Sequence, residues 1–178
     1  CSARSSNDRV VELNITCAGT YTISTCGGAT WDTYLYLSTL PCGGSLIAYN
    51  DDNCGLQSSI TATLSAGTYY VAVEGFSSSS QGAFTLSISK SCNMSASASS
   101  PQYNCGYNVS CNGASDGSAS VSLSNACGAV AYAWSTGGTA ATESGLGAGT
   151  VSVTATDGFG CSASASTTLT EPAPLVVD

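Results

Sequence analysis

The chain has 178 residues, only 8% of them charged, with a formal net charge of −8 and no histidine. A surface of this charge repels phosphate backbones and anionic lipids, so we expect no nucleic-acid partner. Without His, the commonest general base and the Ser-His-Asp arrangement are missing, so the composition argues against an enzyme. No apolar run approaches the ~18 residues of a membrane-spanning helix, so no membrane span is predicted.

The chain contains ten cysteines and no C-x-x-C pair. This number and spacing are typical of a disulfide framework rather than a zinc site. Disulfides persist in oxidising compartments, so we expect an extracellular or cell-surface protein. The start at Cys1 shows no basic and apolar signal segment, so any export signal is expected to have been removed.

Apolar residues alternate with polar ones along the first half of the chain, which is the pattern of β-strands with one buried face. Gly-rich turn signals separate these segments. The predicted strands lie around Val11–Ile15, Tyr21–Ile23, Leu35–Leu37, Ile60–Leu64, Tyr69–Val73 and Phe84–Ile88.

After Cys92 the chain becomes small and polar, and residues 93–102 fit either a linker or a loosely patterned first strand. Short strands then resume, which favours an all-β fold of two consecutive small β-sandwich domains, 1–92 and 93–178. The even number of cysteines in each half predicts that each domain closes its own disulfides. The predicted strands are 119–123, 130–134, 151–155 and 162–170, and the cysteines are Cys1, Cys17, Cys26, Cys42, Cys54 and Cys92, then Cys105, Cys111, Cys127 and Cys161.

Residues 10–90 resemble the bacterial pre-peptidase C-terminal domain, a jelly-roll-like β-sandwich attached to secreted enzymes and surface proteins. The resemblance implies a non-catalytic module. It is carried by Trp31-Asp32-Thr33-Tyr34-Leu35-Tyr36-Leu37, Tyr49-Asn50-Asp51-Asp52, Leu64-Ser65-Ala66-Gly67-Thr68-Tyr69-Tyr70-Val71 and Gly82-Ala83-Phe84-Thr85-Leu86.

Residues 107–174 resemble the immunoglobulin-like repeat of the gliding-motility adhesin SprB. The resemblance implies a surface module, although only one copy is present and Cys105 and Cys127 are additional to the repeat. It is carried by Val109-Ser110-Cys111-Asn112-Gly113-Ala114-Ser115-Asp116-Gly117, Tyr132-Ala133-Trp134-Ser135 and Thr156-Asp157-Gly158-Phe159-Gly160-Cys161.

A hairpin formed by residues 33–38 and 46–50 is predicted to place Asp32 opposite Asp52, near Asn50 and Asp51. Clustered carboxylates repel one another unless a cation or backbone amides compensate, and hard oxygen ligands suit Ca²⁺. Two interpretations stay open: a calcium site, or aspartates that cap turns.

Several other polar positions are open to modification or take ordinary structural roles. Asp116 and Asp157 each precede a glycine and are interpreted as turn residues. Asn14, Asn93 and Asn108 open N-x-Ser/Thr sequons, which are glycosylation candidates if the source glycosylates its proteins.

Aromatic residues offer a second candidate surface. Tyr34 and Tyr36 alternate with the expected core residues Leu35 and Leu37, so they point away from the core. Together with Trp31 and Tyr70 they form either a platform for glycans or proteins, or ordinary cross-strand packing. Trp134 is predicted to be the buried tryptophan of an immunoglobulin-like core.

The C-terminal segment contains Leu175, Val176 and Val177, followed by Asp178. Such a segment fits a final strand of its own domain, or a strand added to the sheet edge of another subunit. Head-to-tail addition propagates into a filament. The sequence therefore predicts an extracellular structural or adhesive protein that forms fibres, with a non-catalytic carbohydrate- or protein-binding module as the alternative.

Overall fold

The computed structural model describes residues 9–41, 44–103 and 105–176, and every regular element in these residues is a β-strand. The all-β prediction is confirmed. The chain divides into two compact units, Cys1–Ser91 and Cys92–Asp178. This boundary lies one residue before the one chosen from the sequence. Within the described ranges, nothing forms a helix long and apolar enough to cross a bilayer.

The first unit is built from two antiparallel sheets. One has four strands in the order β1-β6-β3-β4, and the other has three strands in the order β5-β2-β7. The strands are β1 (Arg9–Ile15), β2 (Gly19–Ser24), β3 (Thr33–Ser38), β4 (Leu46–Asn50), β5 (Ser59–Leu64), β6 (Gly67–Gly75) and β7 (Ser87–Lys90).

The core of the first unit lies between these sheets. Alternation along each strand sends every second side chain inward, so Leu35 and Leu37 of β3 are fully buried. Ile23 and Ile60 face them from the three-stranded sheet. Each such side chain contributes ~1.5–3 kcal/mol when it leaves water. The first unit is therefore held by a core of large aliphatic residues.

The second unit contains two three-stranded antiparallel sheets, β11-β9-β8 and β10-β12-β13. Residues 95–99 form β8 and pair with β9, so the first-strand interpretation of this segment is correct and the linker interpretation is wrong. The strands are β8 (Ser95–Ser99), β9 (Gly117–Ser124), β10 (Ala131–Trp134), β11 (Thr142–Leu146), β12 (Gly149–Thr156) and β13 (Ser162–Leu169).

Valines, leucines and one tryptophan form most of the core of the second unit. Trp134 is the largest side chain of this buried cluster, which also contains Ala119, Val121, Leu146, Val151, Val153 and Leu169. The indole Nε1 of Trp134 donates a hydrogen bond to the carbonyl of Ala140, 2.8 Å away. This bond satisfies the polar atom of a buried ring. The prediction of Trp134 as a core residue is confirmed.

The disulfides confirm part of the framework and correct another part. Cys26 bonds to Cys54 within the first unit, as predicted. Cys92, however, bonds to Cys161 rather than to a cysteine of residues 1–92. Cys92 precedes β8 and Cys161 precedes β13, two strands that contact each other. The even number of cysteines in each half of the sequence gives no information about such a contact. The other disulfide-bonded cysteines among the described residues are Cys17 and Cys127.

Cys105 and Cys111 carry free, exposed thiols, so the prediction that they are bridged is wrong. Each thiol lies in its own backbone-bonded turn. Gly106 N–H closes the turn that contains Cys105, and Ala114 N–H bonds to the carbonyl of Cys111. Cys1 and Cys42 lie outside the described residues.

Candidate functional site

The β3–β4 hairpin positions the predicted acidic site. Near its loop Ser38 pairs with Leu46, but from Leu37–Ala48 onward the register is shifted by one residue. The extra residue is Ile47, which forms a β-bulge. The predicted pairing of Asp32 with Asp52 is therefore wrong, because it assumed a hairpin without a bulge.

A buried network of hydroxyl groups fixes the loop that follows β4. Thr25, Thr33 and Ser58 are each fully buried. The hydroxyls of Thr25 and Thr33 are 2.7 Å apart, and the Ser58 N–H donates to the Thr33 Oγ1 at 3.1 Å. Because buried polar groups are stable only when hydrogen-bonded, this network holds the end of β2, the start of β3 and the loop before β5 together.

Asn50 takes part in this framework rather than pointing freely into the acidic site. Its Oδ1 accepts a hydrogen bond from the Ser59 N–H at 2.9 Å, which ties the end of β4 to the start of β5. The Cys26–Cys54 disulfide, with a Cα–Cα distance of 5.9 Å, links the same loop to the segment that follows β2. Asn50 was a predicted metal ligand, and the structure gives its side chain a positioning role.

Asp32, Asp51 and Asp52 converge at this end of the hairpin. One carboxylate oxygen from each lies within 4.8 Å of the others. Ca²⁺ binds oxygen ligands at 2.3–2.6 Å, so ligands on opposite sides of one ion are separated by up to ~5 Å. The spacing of the three carboxylates therefore fits a single calcium ion.

The environment of Asp51 separates the two interpretations of this cluster. Its Oδ1 is buried and accepts no hydrogen bond. A turn-capping aspartate would instead accept a backbone N–H. Asp52 has a φ of +22°, a strained conformation that Asp tolerates better than most residues. An uncompensated buried carboxylate oxygen favours the cation interpretation for Asp51.

Tyrosines cover the outer face of the same hairpin. The rings of Tyr34 and Tyr49 are stacked within 3° of parallel, with centroids 6.1 Å apart. Tyr36 lies 4.7 Å from Tyr34. Tyr34 is only 8% exposed, whereas Tyr49 is 61% exposed. The cluster thus has a buried base and one open ring, and Tyr49 is a member that the sequence prediction missed.

The other two predicted platform residues lie apart from this ring cluster. Trp31 packs edge-on against Phe84 and donates its indole N–H to the Ala83 carbonyl at 3.1 Å. Tyr70 is on the outer face of β6, opposite Glu12 and Ser38. The predicted platform is therefore smaller than expected, and it is centred on β3 and β4.

The two aspartates predicted to be turn residues act as such. Asp157 is buried, and its carboxylate accepts the backbone N–H groups of Phe159, Cys161 and Cys127. Asp116 accepts the N–H of Ser110 at 3.0 Å. Hydrogen bonds from Ser110 hold the pKa of Asp116 below its ordinary value.

The three sequons differ in accessibility. Asn14 and Asn93 are exposed. Asn108 is 5% exposed, and its Nδ2 donates to the carbonyls of Ser100 and Pro101. Its Oδ1 accepts the N–H of Thr170 at 2.9 Å. A glycan on Asn108 would break these hydrogen bonds, so Asn108 has a structural role. Asn14 and Asn93 stay glycosylation candidates.

The C-terminal segment leaves the second unit without forming a strand up to Val176. Asn112 donates to the Pro172 carbonyl at 3.2 Å, and Glu171 accepts the Gly113 N–H at 2.7 Å. Beyond this anchor Leu175 and Val176 are 91% and 80% exposed. Val177, the third predicted assembly residue, lies outside the described residues.

No protein-family model matches the chain, and no curated protein matches it at a significant level. The resemblances to the pre-peptidase C-terminal domain and to the SprB repeat therefore stay predictions.

Proposed function

We propose that the protein is an extracellular structural or adhesive protein that assembles head to tail by β-strand addition through its C-terminal segment. The observation that carries this proposal is the exposure of Leu175 and Val176 beyond the anchor at Glu171 and Pro172. An exposed apolar segment of a folded protein commonly marks an interaction site.

The composition of the segment supports a donor strand. Pro172 and Pro174 lack backbone N–H groups, which disfavours continued pairing within a sheet at these positions. Leu175 and Val176 each provide both a donor and an acceptor, and branched aliphatic residues suit strands. The segment is thus a short potential strand separated from its own domain by two prolines.

The disulfides support an extracellular setting for this assembly. The described cysteines include the bonded pairs Cys26–Cys54 and Cys92–Cys161, and such bonds persist under oxidising conditions. The low content of charged residues and the bridged cores fit a durable surface protein rather than an enzyme.

Size-exclusion chromatography with light scattering tests the proposal. The oxidised full chain is expected to form polymers whose mass increases with concentration, and a chain lacking residues 172–178 is expected to stay monomeric. Phe159→Lys is a matched control, since Phe159 is also exposed, at 49%, but lies outside the segment. A full chain that is monomeric at every concentration, or a truncated chain that polymerises equally well, would overturn the proposal.

A second candidate function is carbohydrate binding, and the ring cluster of Tyr34, Tyr36 and Tyr49 favours it. Sugars bind flat against exposed aromatic rings, and Tyr49 presents such a ring on a rigid sheet. Binding to a glycan array should be lost in Tyr49→Ala and retained in Phe159→Ala. If the wild-type chain binds no glycan, or if both variants bind alike, this candidate is rejected.

A further inference from the structure

The sheet edges of the first unit differ in how well they are protected against pairing with another chain. An edge strand exposes unpaired backbone N–H and C=O groups, and charged side chains, especially Lys, discourage a partner. β4 is the last strand of its sheet. Its exposed side chains are Leu46, Ile47 and Tyr49, at 54%, 38% and 61%, and no residue from 45 to 50 is charged.

The other edges of these sheets carry charges or expose only small polar side chains. β1 has Arg9 and Glu12, β7 ends at Lys90, and the exposed side chains of β5 are threonines. In the second unit β11 carries Glu143, and the exposed residues of β10 are alanines. β8 and β13 consist mainly of Ser, Ala and Thr and offer little apolar area. Among the edges in the described residues, β4 therefore combines exposed backbone with large apolar side chains most completely.

We propose that the β4 edge of one copy accepts the segment Leu175–Val176 of a second copy. This inference rests on the proposed head-to-tail assembly and names its acceptor surface. Leu175 and Val176 are both largely exposed and so are available to a partner. The bulge at Ile47 lies at one end of β4, and Ala48, Tyr49 and Asn50 keep a regular register with β3.

Charge limits where two copies can pair. Two chains that each carry a net charge of −8 repel each other over most of their surfaces. Contact is least unfavourable between the uncharged stretches themselves, which are residues 45–50, before Asp51 and Asp52, and residues 172–177, between Glu171 and Asp178. Backbone hydrogen bonds would supply the pairing, and the exposed apolar side chains would exclude water from it.

Substitutions on β4 test the acceptor surface. The double variant Leu46→Lys/Ile47→Lys is expected to reduce the polymer to monomer in the scattering experiment. Ile88→Lys is the matched control, because Ile88 is 39% exposed on the edge strand β7 and Ile47 is 38% exposed. Circular dichroism and thermal unfolding of each variant establish that it is folded. A folded β4 variant that polymerises normally would refute the assignment of β4.

Photo-crosslinking identifies the contact even if the β4 variant fails to fold. A benzoylphenylalanine group is placed at position 175 of the full chain, and ¹⁵N-labelled copies are mixed with unlabelled ones. Mass spectrometry is expected to find crosslinks between position 175 and residues 44–53 of a differently labelled copy. Crosslinks to another edge would overturn the β4 assignment while leaving assembly through the tail intact. Crosslinks only within one copy, or no polymer at all, would overturn both.

Discussion

The two units use different means to stabilise similar pairs of sheets. Among the described residues, the buried cluster of the first unit contains three leucines and three isoleucines, whereas that of the second contains two leucines, three valines and Trp134. Valine removes less apolar area from water than leucine or isoleucine. The second unit also has a disulfide closing a longer loop, 69 residues against 28. We infer that the stability of the second unit depends more on Trp134 and on the Cys92–Cys161 disulfide than the stability of the first unit depends on any single residue or bond.

The comparison extends to the surfaces of the units. The first unit presents the acidic cluster, the tyrosine rings and the apolar β4 edge. The second presents the exposed segment Leu175–Val176, while its strands β8 and β13 are made of small polar residues. One unit thus has the features of an acceptor and the other those of a donor. The predictions below test this contrast, from the largest expected effect to the smallest.

Removing disulfides should produce the largest loss of stability. The entropy of closing a loop predicts a cost of about 4.4 kcal/mol for Cys92→Ala/Cys161→Ala and about 3.6 kcal/mol for Cys26→Ala/Cys54→Ala. Denaturant unfolding followed by tryptophan fluorescence measures both. If the Cys26–Cys54 pair proves clearly more costly, then loop length does not govern the difference and the contrast between the units fails.

Truncating the central core residues should have the next largest effect. Trp134→Ala is expected to cost ~3–5 kcal/mol and Leu35→Ala ~2–5 kcal/mol. Because the valines and leucines packed with Trp134 are each smaller than its indole ring, no single neighbour can fill the space that the substitution leaves. Urea unfolding of the two variants provides the measurement, with Thr61→Ala on an exposed position of β5 as the control. Equal, small losses for both would show that neither core is tightly packed.

Much of this architecture follows from short-range sequence patterns. Alternation around Leu35 and Leu37 predicts β3 and its buried face, and the Trp134 environment was predicted in the same way. The register of β3 with β4 could not be predicted from these patterns, because the bulge at Ile47 depends on how the two strands pack against the rest of the sheet.

Contacts between distant parts of the chain also could not be predicted from the sequence. The Cys92–Cys161 bond joins residues brought together only when β8 and β13 meet. The buried hydroxyl network of Thr25, Thr33 and Ser58 gives no sequence signal, since isolated Ser and Thr residues occur throughout the chain. The convergence of Asp32 with Asp51 and Asp52 was predicted, although through the wrong pairing.

Calcium should have a moderate effect confined to the first unit. If Asp32, Asp51 and Asp52 bind Ca²⁺ with the 10⁻⁴–10⁻³ M dissociation constants of extracellular sites, then 10 mM Ca²⁺ stabilises the chain by about 1.4–2.7 kcal/mol. Differential scanning fluorimetry should show a higher melting temperature with Ca²⁺ than with equimolar Mg²⁺. Asp51→Asn should remove this shift. If neither Ca²⁺ nor a chelator changes the melting temperature of the wild-type chain, the calcium site is rejected.

The smallest effect concerns pH and the second unit. Hydrogen bonds from Ser110 lower the pKa of Asp116 in the folded chain. This stabilisation is present above the unfolded-state pKa of about 3.9 and is lost as the pH falls through the lower folded-state value. Asp116→Asn should therefore be slightly less stable than wild type at pH 6, and the difference should vanish at pH 2. A difference that grows on acidification would contradict the assignment.

Mixing two assembly-deficient variants tests the central claim most directly. Leu175→Lys/Val176→Lys lacks the donor segment, and Leu46→Lys/Ile47→Lys lacks the acceptor edge. Each variant alone should be monomeric in analytical ultracentrifugation, and an equimolar mixture should form a heterodimer with twice the mass of one chain and nothing larger. A mixture that stays monomeric, or single variants that still form polymers, would contradict head-to-tail assembly between β4 and the C-terminal segment.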